Sequence, residues 1–162
     1  LSAQGWRDDV AVIVEDGRIL ELATRVPPSA EIRDLSGRFL LPGFIDCQVN
    51  GGGGVLFNDQ PDAEGIRAIG AAHRRFGNTG FLPTLISDTA DKMRAAIAAV
   101  DDAIADGAPG LLGIHLAGPF LSRARQGVHA GKYLHAPDAS ELRLGGPLHR
   151  DEIGRASCRE RV

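Results

Sequence analysis

The chain reads as an α/β protein: a partial (β/α)8 TIM barrel, comprising its first three or so strands, preceded by a small β-sandwich-type unit. Three observations predict this. Residues 1–40 carry short β-rich runs separated by tight-turn residues, with no helical period among them. From Leu41 onward, apolar strands alternate with segments of helical period in the order strand, helix, strand, helix, strand. The connections are short, which is how parallel βαβ units are joined.

The elements follow in order. Val10 to Val14 and Ile19 to Leu22 flank Glu15-Asp16-Gly17-Arg18, and an Asp-Gly pair between apolar runs predicts a hairpin. Ile32 to Leu35 and Arg38 to Leu41, around Ser36-Gly37, predict two more short strands. About forty residues bury little core alone. Leu40 to Asn50 reads as a buried-type strand that runs into Gly51-Gly52-Gly53-Gly54, where backbone angles closed to other residues become available. Ile66, Ile69, Ala72 or His73, and Phe76 recur at helical spacing across Ala63 to Phe76, and Gly77-Asn78-Thr79-Gly80 supplies a stop. Phe81 to Ile86 is the next strand. Ser87 or Asp88 caps a helix through Asp106 whose Met93, Ile97, Val100 and Ile104 share a face, and Gly107 ends it. Leu111 to Leu116 is the third barrel strand, and Ser140 to Leu144 starts a further helix.

Three segments result: 1–40, part of the small β unit; 41–151, the beginning of the barrel; and 152–162. The last, from Glu152 to Val162, is charged, lacks either period and follows the Gly145-Gly146-Pro147 break. It is similar, residue for residue, to a translated sequencing adapter, and is expected to be a non-native tail. That reading implies a parent chain continuing beyond about Asp151, and Leu1 in place of Met points to a missing start.

Composition narrows the function. The 162 residues are 43% hydrophobic with a net charge of −3, which describes a globular domain or part of one and argues against a nucleic-acid partner. There is no apolar run of about eighteen residues and no basic-then-apolar leader, so neither membrane insertion nor secretion is expected, and the cytoplasm is the default compartment. Cys47 and Cys158 lack CxxC spacing and imply neither a disulfide framework nor a zinc ribbon.

Chemistry is concentrated where strands end. In Gly113-Ile114-His115-Leu116-Ala117-Gly118-Pro119-Phe120-Leu121, an apolar strand meets Gly-Pro, which breaks pairing and opens a loop. Barrel enzymes place active-site residues at that position. His115 shares a face with Ala117, so geometry alone admits it as a ligand, and it is read as packed or as a support behind the site. Gln48 and Asn50 alternate on one side of a strand, and on their own they read as amides closing hydrogen bonds at its end. The glycine run reads as a turn ahead of an anion cradle. His73 is read as structural, and His135 and His149 as surface residues.

Three blocks, in order, carry a family resemblance: Leu41-Pro42-Gly43-Phe44-Ile45-Asp46 with Gln48-Val49-Asn50-Gly51, then His115 to Phe120, then Gln126-Gly127-Val128-His129. Together they resemble the N-acetylglucosamine-6-phosphate deacetylases of the amidohydrolase superfamily. The resemblance implies hydrolysis of the acetyl amide of an amino-sugar phosphate, giving glucosamine 6-phosphate and acetate. A single divalent metal, of zinc or iron type, would lower the pKa of water to about 7 and polarise the carbonyl. Gln48 and Asn50, where two-metal relatives carry His-x-His, fit the single-metal subgroup and are candidate substrate-side residues. Val128 and His129 would meet the sugar, His129 by a hydrogen bond to its amide region and Val128 through its main chain. The family pattern His-Leu-Glu-Gly-Pro-Phe has the metal-binding Glu where this chain has Ala117, so no metal ligand is expected within the chain. The general base and the two imidazole ligands would lie on later strands, so the fragment alone is expected to be inactive. A homodimeric parent is also implied. Two alternatives remain: a degenerate member that binds sugar phosphate without hydrolysis, and another amidohydrolase, such as a cyclic-amide hydrolase.

Overall fold

The computed structural model describes residues 5–136 and 156–157, and these fall into two compact units that divide between Pro42 and Gly43. In the first unit, β1 (Ala11–Glu15) and β2 (Arg18–Ala23) form an antiparallel hairpin, with an irregularity between Ile13 and Val14. Asp16 and Gly17 make its turn at φ of 49° and 74°, as the Asp-Gly pair predicts. The two further strands expected over 32–35 and 38–41 are absent. Ser36 and Gly37 do form a turn, tied by Asp34 Oδ1 accepting from the Ser36 N–H at 2.7 Å, but its flanks find no strand to pair with among the described residues. Val14, Ile19, Leu20, Ile32 and Phe39 stay exposed. A groove of about 750 Å³ runs among Val12, Val14, Val26, Ile32 and Phe39.

The second unit carries the parallel sheet. Its strands are β3 (Phe44–Val49), β6 (Asn78–Ile86), β7 (His115–Ala117) and β8 (Ala156–Ser157), in the order β3-β6-β7-β8, with every adjacent pair parallel. Between β3 and β6, the glycine run folds back as a small hairpin, β4 (Gly51–Gly52) against β5 (Val55–Leu56). Gly53 and Gly54 turn it at φ of 63° and 83°, a left-handed pair that side chains with a Cβ rarely adopt. The run is therefore a turn, and His73 braces it from the helix by donating from Nε2 to Gly51 O at 2.9 Å.

Two helices complete the βα alternation: α1 (Ala63–Arg74) and α2 (Ala90–Ala105). Asp62 caps α1, accepting from the Gly65 N–H at 2.8 Å, and Thr89 caps α2, accepting from the Lys92 N–H. The cap of α2 is thus Thr89, not Ser87 or Asp88, and those two residues are left for other work. The apolar stripe of α1 is Ile66 and Ile69, both fully buried, while Phe76 lies beyond the helix end and is 81% exposed. A Cβ at Gly70 would stand 2.7 Å from the Phe81 ring, so the missing side chain lets α1 approach β6 closely. Met93, Ala96, Ile97, Val100 and Ala103 form the buried face of α2.

The core joins those faces to Val49, Phe57, Phe81, Leu85, Leu111, Ile114 and Leu116. Pro83 is tolerated in the interior strand because the β3–β6 register shifts between Asp46 and Val49, just before Val49 pairs with Pro83. Two strand expectations are corrected. β3 is not buried on both faces: among the described residues it is the sheet edge, paired with β6 alone, and Phe44 and Ile45 are 64% and 59% exposed. The third strand is His115–Ala117, with Leu111 joined to Phe81 by a single bridge, because Gly113 at φ 147° interrupts the run. β8 lies in the segment expected to be a non-native tail. Its parallel pairing with β7 uses main-chain groups, which an open sheet edge offers to an extended segment whatever its sequence. The helix expected from Ser140 to Leu144 lies outside the described residues, as do His149 and Cys158.

Candidate functional site

Because β3, β6 and β7 run parallel, their C-terminal ends face the same way, and each strand hands over to a polar segment there. Gln48 is exposed on β3 and Asn50 lies just after it, half-buried, with its carbonyl accepting from the Phe57 N–H at 2.8 Å. β6 ends at Ile86 and is followed by Ser87 and Asp88. β7 ends at Ala117 and is followed by Gly118-Pro119, whose peptide bond is cis.

The end of β6 is pinned from behind. Asn58, 7% exposed, accepts from the Ile86 N–H through Oδ1 at 2.9 Å and donates through Nδ2 to Ile86 O at 3.1 Å and to Asp88 Oδ2 at 3.2 Å. Lys92 Nζ reaches Asp88 Oδ2 at 3.0 Å and Asn58 O at 3.1 Å. Burial opposes ionisation of Asp88, but hydrogen bonds from the Thr89 N–H, Lys92 and Asn58 outweigh it together and leave the carboxyl below its ordinary value. This network uses both amide protons of Asn58 and engages its amide oxygen at the strand end, so its role is to hold the strand end.

Ser87, directly beyond that clamp, reaches across to the loop that follows β7. Its N–H donates to His129 Nδ1 at 3.2 Å, its Oγ lies 2.8 Å from the same nitrogen, and Oγ is also 3.4 Å from Ala117 O. Ser87 is 5% exposed and His129 half-buried. Burial lowers the His129 pKa below the ordinary 6.5. The turn carrying His129 is closed by its own N–H donating to Gln126 O at 3.0 Å, and Val128 at its tip is 82% exposed. Sequence reading singled out His129 but missed Ser87, which it took for a helix cap. Its position at the C-terminal end of a strand in a βα unit was the available signal.

His115 and Ala117 occupy the neighbouring strand end. His115 is 4% exposed, lies with Nδ1 3.2 Å from Thr84 Oγ1 on β6, and is pushed below its ordinary pKa by burial, as a packed residue would be. Ala117 is 6% exposed and pairs with Ile86. A methyl group offers no lone pair, and the amides of Gln48 and Asn50 are weak donors to a divalent ion. Among the described residues, no group of three or more His, Cys, Asp or Glu side chains is placed to hold a metal. The residues present therefore do not fit a metal centre of their own. Nor is any helix among them long and apolar enough to cross a membrane.

No family model matches the sequence. Curated relatives do. The chain is 46% identical over 131 residues to the N-acetylgalactosamine-6-phosphate deacetylase of Shewanella sp. (strain ANA-3), an alignment covering 76% of this chain and 32% of that protein. It is 37% identical over 132 residues to the N-acetylglucosamine-6-phosphate deacetylase of Haemophilus influenzae, covering 78% of this chain and 34% of that protein. The fold agrees. A crystal structure of N-acetylglucosamine-6-phosphate deacetylase from Pasteurella multocida superposes with a TM-score of 0.82 at 30% identity, over 86% of this chain and 38% of that one. The chain belongs to the N-acetylglucosamine-6-phosphate deacetylase family. It spans about a third of the length of the curated relatives it matches. The family's α/β architecture with a parallel sheet is present.

Proposed function

We propose that the protein works on N-acetylated amino-sugar 6-phosphates, and that this segment supplies the sugar side of a deacetylase site and not its metal side. The observation that carries this reading is the His129 loop, clamped to the end of β6 through Ser87 beside the Gly118-Pro119 turn. It is supported by the kinship to proteins named as deacetylases of both the gluco and galacto sugars. In this reading His129 donates a hydrogen bond to the acetamido group, the main chain at Val128 borders the sugar, and Gln48 and Asn50 approach it from β3. β3, β6 and β7 are taken as the first strands of a (β/α)8 barrel, since consecutive strands are parallel neighbours joined through helices. Residues 1–40 are taken as the opening part of a small β-sandwich unit, 41–151 as the truncated barrel, and 152–162 as non-native. The divalent ion, of zinc or iron type, and the general base belong in this reading to later strands of a homodimeric parent.

One observation favours a second reading. A buried methyl at 117 in place of a carboxylate is what a binder that no longer hydrolyses would carry. Titration of the chain with N-acetylglucosamine 6-phosphate and N-acetylgalactosamine 6-phosphate, followed through the side-chain signals of His129 and the amide of Val128, tests the shared part of both readings. Saturable shifts at those two residues are expected, and shifts absent for both sugars would overturn the site assignment.

A further inference from the structure

We infer that Ser87 is the positioning residue for His129: its main-chain N–H and its hydroxyl hold the ring by Nδ1, so that Nε2–H is the donor presented to ligand. A backbone N–H cannot reverse its role, and that of Ser87 lies 3.2 Å from Nδ1. Nδ1 must therefore offer its lone pair. A proton on Nδ1, in the other neutral tautomer or in the imidazolium, would oppose hydrogen to hydrogen. The ring proton sits on Nε2, on the far side of the ring from Ser87.

The hydroxyl adds direction. At 2.8 Å from Nδ1 it is the closer of the two contacts and its one proton points there, while Ala117 O lies beside the same oxygen at 3.4 Å, at the end of β7. Ser87 thus ties three strand-end segments together: its own on β6, the end of β7 and the loop forty-two residues further on. At 5% exposure Ser87 has little access to water, so the bond to Nδ1 is the partner of the hydroxyl proton. The arrangement also needs Gly118, because a Cβ there would overlap Ser87 Oγ and stand 3.5 Å from His129 Nδ1. The functional meaning rests on the proposed site. A neutral imidazole fixed as an Nε2 donor suits a carbonyl or hydroxyl acceptor on the sugar, and it is unsuited to act as a base at Nδ1.

Long-range proton–nitrogen correlation spectra of the histidine-labelled full chain test this without any ligand. The wild-type His129 ring is expected as a single tautomer, Nδ1 unprotonated and Nε2 protonated. Ser87→Ala, which keeps the main-chain N–H and loses the hydroxyl, is expected to leave Nδ1 the unprotonated nitrogen but to shift its resonance, because the shorter of its two hydrogen bonds is gone, and Ser87→Thr to restore the wild-type pattern. A wild-type ring protonated at Nδ1 at neutral pH, or a Ser87→Ala ring unchanged from wild type, would overturn the inference. Because the wild-type readout needs no variant to fold, the first of these outcomes is decisive alone. Affinity for N-acetylglucosamine 6-phosphate is expected to fall about five- to tenfold in Ser87→Ala, the scale of one misdirected hydrogen bond. If the tautomers behave as stated but the sugar phosphate leaves the ring signals untouched, Ser87's hold on the ring is upheld and the sugar assignment falls.

Discussion

Gly118→Ala measures how tightly the junction of β7, Ser87 and His129 is packed. Gly118 adopts φ +104°, outside the range that an alanine takes without strain, and holding such a conformation costs about 1–3 kcal/mol. A Cβ on the same backbone overlaps Ser87 Oγ and lies 3.3 Å from Ser87 Cβ. Ser87 is buried, so it cannot swing into solvent, and overpacking of that kind costs about 1–3 kcal/mol more. The sum, about 2–6 kcal/mol, is a large share of the 5–15 kcal/mol or so that holds a typical domain folded. With a urea m-value of about 2 kcal/mol per molar, the unfolding midpoint should drop by about 1–3 M. Repeating the substitution on Ser87→Ala separates the two terms. The overlap is gone there and the backbone strain stays, so Gly118→Ala should cost about 1–3 kcal/mol less in that background. A midpoint within about 0.3 M of wild type, or an equal cost in both backgrounds, would refute the geometry on which the His129 site is built.

Other consequences are independent of that junction. Asn58→Ala leaves the Ile86 N–H and C=O without their buried partner and should destabilise by about 2–4 kcal/mol, with hydrogen exchange at the Ile86 amide accelerated first. Ile69→Ala, at a fully buried site, should cost about 2–5 kcal/mol, whereas Phe76→Ala, at 81% exposure, should stay within about 0.5 kcal/mol; comparable losses would mean that α1 is wrongly phased. Both His115 and His129 sit below 6.5 in the folded state because burial disfavours the imidazolium. The unfolded chain therefore takes up protons first as pH falls, so stability is full above about 6.5 and declines as pH drops through that value toward the folded pKa values. Melting curves from pH 8 to pH 5 check this, and a flat or rising profile would contradict it.

Much of the secondary structure is legible in the sequence because its signals are local. Asp-Gly turns a hairpin, Ile66 and Ile69 mark a helix face, and glycine ends α2 whatever surrounds it. What is not legible depends on partners distant in sequence. The exposure of β3 follows from its place at the sheet edge, which the apolar run from Phe44 to Val49 does not encode. Phe76 fits the helical period, yet it lies past the C-cap, where the period no longer binds it to the core. The segments around Ser36-Gly37 have strand composition but no neighbour to pair with, so pairing and not propensity decides them. At the site, His129 stands out through its motif, while Ser87 looks like any helix cap until the fold brings it against a residue forty-two positions away.

In the proposed reading, position 117 is where a hydrolytic site and a binding one would differ, by a single side chain. The decisive measurement is acetate release from N-acetylglucosamine 6-phosphate by the protein expressed from its complete gene, carrying Ala117 and carrying Ala117→Glu, with zinc or ferrous iron supplied. The account predicts no release above background with Ala117 and turnover gained with Ala117→Glu. Equal turnover by both proteins would contradict it, because the carboxylate at the end of β7 would then have no part in the chemistry.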